Sequence, residues 1–193
     1  LGLAEPNSHG IANVVSCAGT DSCTLGTTSS MGLAQALRNE IDSWDGLAED
    51  KGVNDIRIKM SGCPNGCGLH HIANIGFHGA AVKGADGQQA PAYEMFLGGN
   101  YGDSRVEDSR IGTRIPKVKV PAKAVPGVLK KVVTYYKENR QGEEGFNQFL
   151  DRVGLEEMTQ VAADAQAAVE SAAPGSDLYI DWERSNLYKL ERG

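Results

Sequence analysis

The chain has 193 residues, 40% hydrophobic and 23% charged, the balance of a globular protein with length for one substantial core. Its formal net charge of -6 argues against a general nucleic-acid surface. No apolar run approaches the roughly 20 residues that a membrane-spanning helix needs, and Leu1 to Asn13 lack the basic start and long apolar core of a secretory signal.

Residues 1–16 read as an entry segment that ends in the apolar run Ile11 to Val15, a strand delivering Cys17 to a loop. Thr24 to Ser30 is rich in glycine, threonine and serine. Met31, Leu33, Ala34, Leu37 and Ile41 then recur at helical spacing. They predict a helix over 30–44 with Ser29 or Ser30 as its cap. Val53 to Met60 alternates apolar and polar side chains and predicts a strand that runs into the loop Gly62 to Gly68. A short helix over 69–72 follows, then strands over 74–83 and 92–98 joined by a turn at Gly84 to Gly87.

Residues 99–123 read as irregular and basic, with Arg105, Arg110, Arg114, Lys117, Lys119 and Lys123 interrupted by Asp103, Glu107 and Asp108. Val128, Leu129, Val132, Val133 and Tyr136 make one apolar face of a helix over 124–140. A short helix over 145–153 and an alanine-rich helix over 155–172, stopped at Pro174-Gly175, come next, and 177–182 reads as a final strand. The sum is an α+β fold, a small mixed or antiparallel sheet packed with helices.

All four cysteines fall in two motifs, Cys17-x5-Cys23 and Cys63-x3-Cys67. Each follows the plan strand, cysteine loop, helix. Without a secretory signal, such thiols point to metal rather than to disulfides. Zinc pairs usually enclose roughly two to four residues; the second motif fits that range and the first does not. An iron–sulfur cluster is the leading reading, with structural zinc, disulfides and free thiols left open. Gly62, Gly66 and Gly68 would let backbone N–H groups approach a large cluster closely. Other polar residues have plainer readings. Arg57 and Lys59 suit a local anion site or an ordinary surface. His70 and His71 read as structural or surface groups, because neighbours on a helix cannot face one site. His78 reads as solvent-facing, and Met31 and Met60 as core.

The cysteine spacing with Gly62-Cys63-Pro64-Asn65-Gly66-Cys67 resembles the signature of the sirohaem-containing nitrite and sulfite reductases. Phe96 to Gly99, Arg114 to Pro116 and Glu144 to Phe146 carry the resemblance across residues 11–153. It implies the C-terminal half of that fold and a division into a cofactor domain, 1–153, and a helical extension with tail, 154–193. It also implies a [4Fe–4S] cluster on Cys17, Cys23, Cys63 and Cys67. Sirohaem would lie beside it, with Cys67 as the catalytic residue that bridges cluster iron and sirohaem iron. Ala18, Thr20, Asn65 and Gly66 would lie against the macrocycle, Asn65 bonding a macrocycle carboxylate or capping its own turn.

The implied reaction is the six-electron reduction of sulfite to sulfide, or of nitrite to ammonia, with sulfite preferred. Ferredoxin or a flavoprotein would supply the electrons. Family members pair two similar halves, and the basic residues that grip the anion come from the other half. The chain is therefore expected to need a missing N-terminal half or a partner chain, and to be inactive alone. A cytoplasmic setting is expected, a plastid also suiting the chemistry. An electron-transfer module without sirohaem and a zinc-stapled structural domain are the alternatives.

Overall fold

A computed structural model describes residues 10–84, 87–102, 108–170, 172–173 and 175–190. Its five strands form one mixed sheet in the order β1-β2-β3-β4-β5. These are β1 (Val15–Ser16), β2 (Ile58–Ser61), β3 (Ile75–Lys83), β4 (Gln89–Leu97) and β5 (Thr113–Pro121). The first three strands are parallel, and β3, β4 and β5 form an antiparallel meander. The α+β expectation is met.

Parallel pairing dictates where the cysteines go. Two parallel neighbours cannot be joined by a hairpin, so the chain must leave the end of one strand and return to the start of the next. The crossover from β1 to β2 opens with Cys17, and the crossover from β2 to β3 carries Cys63 and Cys67. Ser16 pairs with Met60, so the two loops leave the same edge of the sheet on adjacent strands. Loops at the carboxyl ends of parallel strands are where open α/β sheets hold ligands.

Period-2 alternation divides the sheet into two faces. Ile75 and Phe77 of β3, with Tyr93, Met95 and Leu97 of β4, are buried in the main core. The same core takes Leu33, Leu37 and Ile41 from α1 (Ser30–Asp42) and Leu129, Val132, Val133 and Tyr136 from α3 (Val125–Asn139). Ser29 caps α1, its hydroxyl accepting the Gly32 N–H at 3.2 Å. Phe146 and Phe149 of α4 (Phe146–Val153) and Met158 and Ala162 of α5 (Leu155–Glu170) complete the core.

The structure differs from expectation in several places. Residues 51–54 form a helical turn, α2 (Lys51–Asn54), because the Asp50 carboxylate accepts the Val53 N–H at 3.0 Å; the strand starts only at Ile58. Part of the stretch read as irregular is β5. Two prolines and a bulge, marked by Lys117 at φ +61° and a register shift opposite Glu94 and Phe96, hide its alternation. Arg105, Asp103 and Glu107 lie outside the described residues. The segment read as a last strand is a 3-10 turn over Asp177–Tyr179, followed by a single bridge from Ile180 to Leu187. Met31 is 50% exposed, not core, whereas His78 is only 8% exposed and pairs with Glu94.

Leu37 is fully buried where α1 meets the core. Leu37→Ala should cost about 2–5 kcal/mol through lost transfer energy and the cavity left behind. Urea unfolding should show a lower midpoint at unchanged slope; an unchanged midpoint would contradict this packing.

Candidate metal centre

The two cysteine loops are stitched together by backbone. The Gly62 N–H donates to Cys17 Sγ at 3.1 Å, and the Gly62 carbonyl accepts the N–H groups of Thr27 at 2.8 Å and Thr28 at 3.0 Å. The Cys17 N–H donates to the Met60 carbonyl at 3.2 Å, and the Gly19 N–H reaches Cys17 Sγ at 3.4 Å. Within the first loop the Cys23 N–H bonds the Gly19 carbonyl at 3.0 Å. Ser30, opening α1, donates its hydroxyl to the Cys17 carbonyl at 2.8 Å.

Such contact leaves no room for side chains. A Cβ on Gly62 would stand 2.6 Å from Gly19 Cα and 2.8 Å from the Thr28 carbonyl. A Cβ on Gly68 would run into the Met60 carbonyl, and one on Gly79 of β3 into the Gly62 carbonyl. Gly66, at φ +79°, takes the left-handed turn that reaches Cys67.

All four cysteines are free thiols, so neither motif forms a disulfide. Cys63 is buried, Cys17 half-buried, and Cys23 and Cys67 are exposed. Ala18 and Thr20 are half-buried in the turn after Cys17, and Asn65 is exposed at the tip of the second loop. Among the described residues no three histidine, cysteine or acidic side chains gather closely enough to hold a single metal ion. Both cysteine loops leave the same end of adjacent parallel strands. The two backbone N–H donors on Cys17 Sγ are the bonds that stabilise a cluster thiolate and tune its potential. The donor set therefore fits an iron–sulfur cluster.

A second group stands beside Cys67. His70 is fully buried, its Nδ1 2.9 Å from the Ser61 hydroxyl, which itself accepts the Gly68 N–H at 3.0 Å. With Ser61 donating to Nδ1, the proton of neutral His70 sits on Nε2, a buried atom with no partner. Burial, reinforced by His71 and His78, depresses the His70 pKa from 6.5 to about 3. The His71 ring lies 3.9 Å from that of His70, and Phe96 4.9 Å. His78 Nε2 approaches Glu94 at 3.3 Å, and Glu94 also pairs with Arg114 at 2.8 Å.

Burial lowers the His78 pKa, against the opposing pull of the Gly79 carbonyl and Glu94. His78, Glu94 and Phe96 occupy alternate positions of β3 and β4 on the face turned away from the core. The period-2 pattern carried that signal, but the sequence does not show that the turn at His70 folds over this face.

The nitrite and sulphite reductase 4Fe-4S domain model matches residues 8–169. The chain is 27% identical over 158 residues to sulfite reductase (ferredoxin) 1 of Mycolicibacterium paratuberculosis, covering 82% of this chain and 28% of that protein. It is 32% identical over 157 residues to the sulfite reductase (NADPH) hemoprotein beta-component of Salmonella schwarzengrund, covering 76% and 25%. The chain thus spans about a quarter of the length of the curated relatives it matches. Among solved structures it resembles the Mycobacterium tuberculosis NirA protein, with a TM-score of 0.65 at 24% identity over 76% of this chain and 26% of that one. It also resembles dissimilatory sulfite reductase I, with a TM-score of 0.52 at 12% identity over 92% and 56%. At these identities the structures speak for the fold alone.

Two predictions follow from the geometry. Gly62→Ala should cost about 1–3 kcal/mol by overpacking backbone on backbone, read as a lower urea midpoint; an unchanged midpoint would contradict the close approach. His70 takes up its proton more readily when unfolded than when folded. Its contribution is therefore present above about pH 6.5 and lost as pH falls toward about 3. Urea unfolding between pH 7 and pH 4 should show a shallower loss of stability in His70→Gln than in the parent, and equal slopes would contradict the assignment.

Proposed function

The chain belongs to the nitrite and sulphite reductase 4Fe-4S domain family, and on that premise we propose that it is the cluster- and sirohaem-bearing portion of an assimilatory-type sulfite reductase, a nitrite reductase being the alternative. The observation that carries this reading is the Gly62 stitch, which sets the Cys63 loop directly against Cys17. Cys17, Cys23, Cys63 and Cys67 would hold a [4Fe–4S] cluster, and Cys67 would be shared with the sirohaem iron. Together these groups would supply one-electron transfer and an iron site for the anion.

This chain's own residues then have distinct tasks. Gly62 and Gly19 hold the Cys17 sulfur in place by N–H bonds. Gly66 turns the chain so that Cys67 is exposed while Cys63 stays buried. Asn65, Gly66, Ala18 and Thr20 would lie against the macrocycle. His70 offers a neutral Nε2–H donor near Gly66 to an acceptor on the bound group; a Cβ on Gly66 would be 3.9 Å from the His70 ring.

Ferredoxin, or a flavoprotein carrying electrons from NADPH, is the proposed donor, in keeping with the names of the relatives. The anion-gripping residues are assigned to an N-terminal half or partner chain, without which this portion is inactive. Residues 154–193 are proposed as an extension on a cofactor domain spanning 1–153, and the setting as cytoplasmic.

The test is anaerobic reconstitution of the chain with iron and sulfide, then addition of sirohaem. The reading predicts broad cluster absorbance that falls by about half or more in Cys63→Ser, and macrocycle bands only after sirohaem is added. Cluster absorbance with no sirohaem uptake, even with the complementary half present, would favour a plain electron-transfer module. Zinc binding without iron or sulfide would overturn both.

A further inference from the structure

The family match ends at residue 169, yet the segment beyond it returns to the metal centre. Tyr179 is fully buried against Ala90 and Val82. The Trp182 indole N–H donates to the Ala122 carbonyl at 2.9 Å, and Lys123 Nζ lies 4.2 Å from the centre of its ring. From this anchorage the chain reaches the first cysteine loop at three points. Asp181, buried, accepts the Ser29 N–H at 2.8 Å, at the residue that caps α1. Arg184 donates to the Thr20 carbonyl at 3.2 Å and pairs with Asp21 at 2.8 Å. The Tyr188 hydroxyl donates to the Thr27 carbonyl at 2.9 Å, while the Tyr188 N–H is fixed to the Tyr179 carbonyl at 2.7 Å.

Every loop residue so held lies between the cysteines or between Cys23 and α1. The loop's two ends are fixed by the Gly62 stitch, but the part that carries Cys23 has only turn bonds of its own. Asp21 to Leu25 are exposed and bury no apolar side chain, and segments of that kind open locally at low cost. A cavity of about 380 Å³ is lined by Cys23 from the loop and by Arg184, Asn186 and Tyr188 from the tail.

We propose that residues 177–190 form a clamp, in which Asp181, Arg184 and Tyr188 are positioning residues that hold the Cys17–Cys23 loop in place. The clamp itself rests on the observed contacts; its consequence for metal rests on the cluster reading above. Without it, the Cys23 corner is free to leave, and a cluster held there is lost through that corner. Arg184 and Tyr188 are the informative positions, because neither side chain belongs to the core.

Amide hydrogen exchange on the full, cluster-free chain tests the clamp directly. In Arg184→Ala combined with Tyr188→Phe, exchange across 19–28 should rise about tenfold or more, with β3 and β4 unchanged. Arg152→Ala, which removes a comparable ion pair from α4 to Glu144, should leave 19–28 as in the parent, and Arg184→Lys should restore part of the protection. No change in the double variant, a uniform change along the chain, or an equal effect of Arg152→Ala would overturn the clamp. In chain reconstituted with iron and sulfide, a chelator should strip iron about tenfold faster from the double variant, with an altered spectrum of the reduced cluster. Equal stripping rates would overturn the consequence for metal. Failure of the parent to take up a cluster would defeat the functional reading, while hydrogen exchange would still decide the clamp.

Discussion

Both backbone groups of Gly62 are spent on the first cysteine loop: its N–H on the Cys17 sulfur, its carbonyl on Thr27 and Thr28. Only glycine can stand there, because a Cβ would meet Gly19 and Thr28 at distances that real side chains do not tolerate. The remaining architecture serves this contact. Parallel pairing of β1 with β2 brings the loop origins side by side. Gly68 and Gly79 keep side chains out of the same gap, and Ser30 fixes the Cys17 carbonyl from the start of α1. The Cys17 sulfur so placed accepts two fixed backbone N–H groups, the bonds that tune a cluster ligand.

The sheet separates two kinds of chemistry. One face is closed by α1 and α3 and supplies stability through buried apolar area. The other carries His70, His78, Glu94 and Arg114 around Phe96, a polar assembly kept beside the exposed Cys67. Burial keeps His70 neutral and its Nε2–H unpaired. An unsatisfied donor of this kind costs free energy in the fold and is tolerated where a binding partner relieves it. The His70 ring lies within 3.9 Å of where a Cβ on Gly66 would stand, beside the second cysteine loop.

Much of this was legible from residue order. The two cysteine motifs, each after a strand and before a helix, were plain, as was α1 from the spacing of Leu33, Leu37 and Ile41. So was the apolar face of α3. What escaped had physical causes. In β5, Pro116, Pro121 and the turn at Lys117 break the alternation that marks a strand. At residues 51–54 a cap by Asp50 overrode a strand-like pattern. His78 looked solvent-facing because strand alternation names a face but not what covers it. The tail was opaque for a stronger reason: Asp181, Arg184 and Tyr188 meet Ser29, Asp21 and Thr27 only through pairings about 150 residues apart or more, which no local pattern encodes.

The central claim is that two loops held edge to edge present four thiolates to one cluster. Mössbauer spectroscopy of the chain reconstituted anaerobically with ⁵⁷Fe and sulfide tests it most directly. A dominant signal from four equivalent, valence-delocalised iron sites in a diamagnetic cluster is predicted. Iron present only as isolated high-spin ferric sites, or as a two-iron species on one cysteine pair, would show that the loops do not act together.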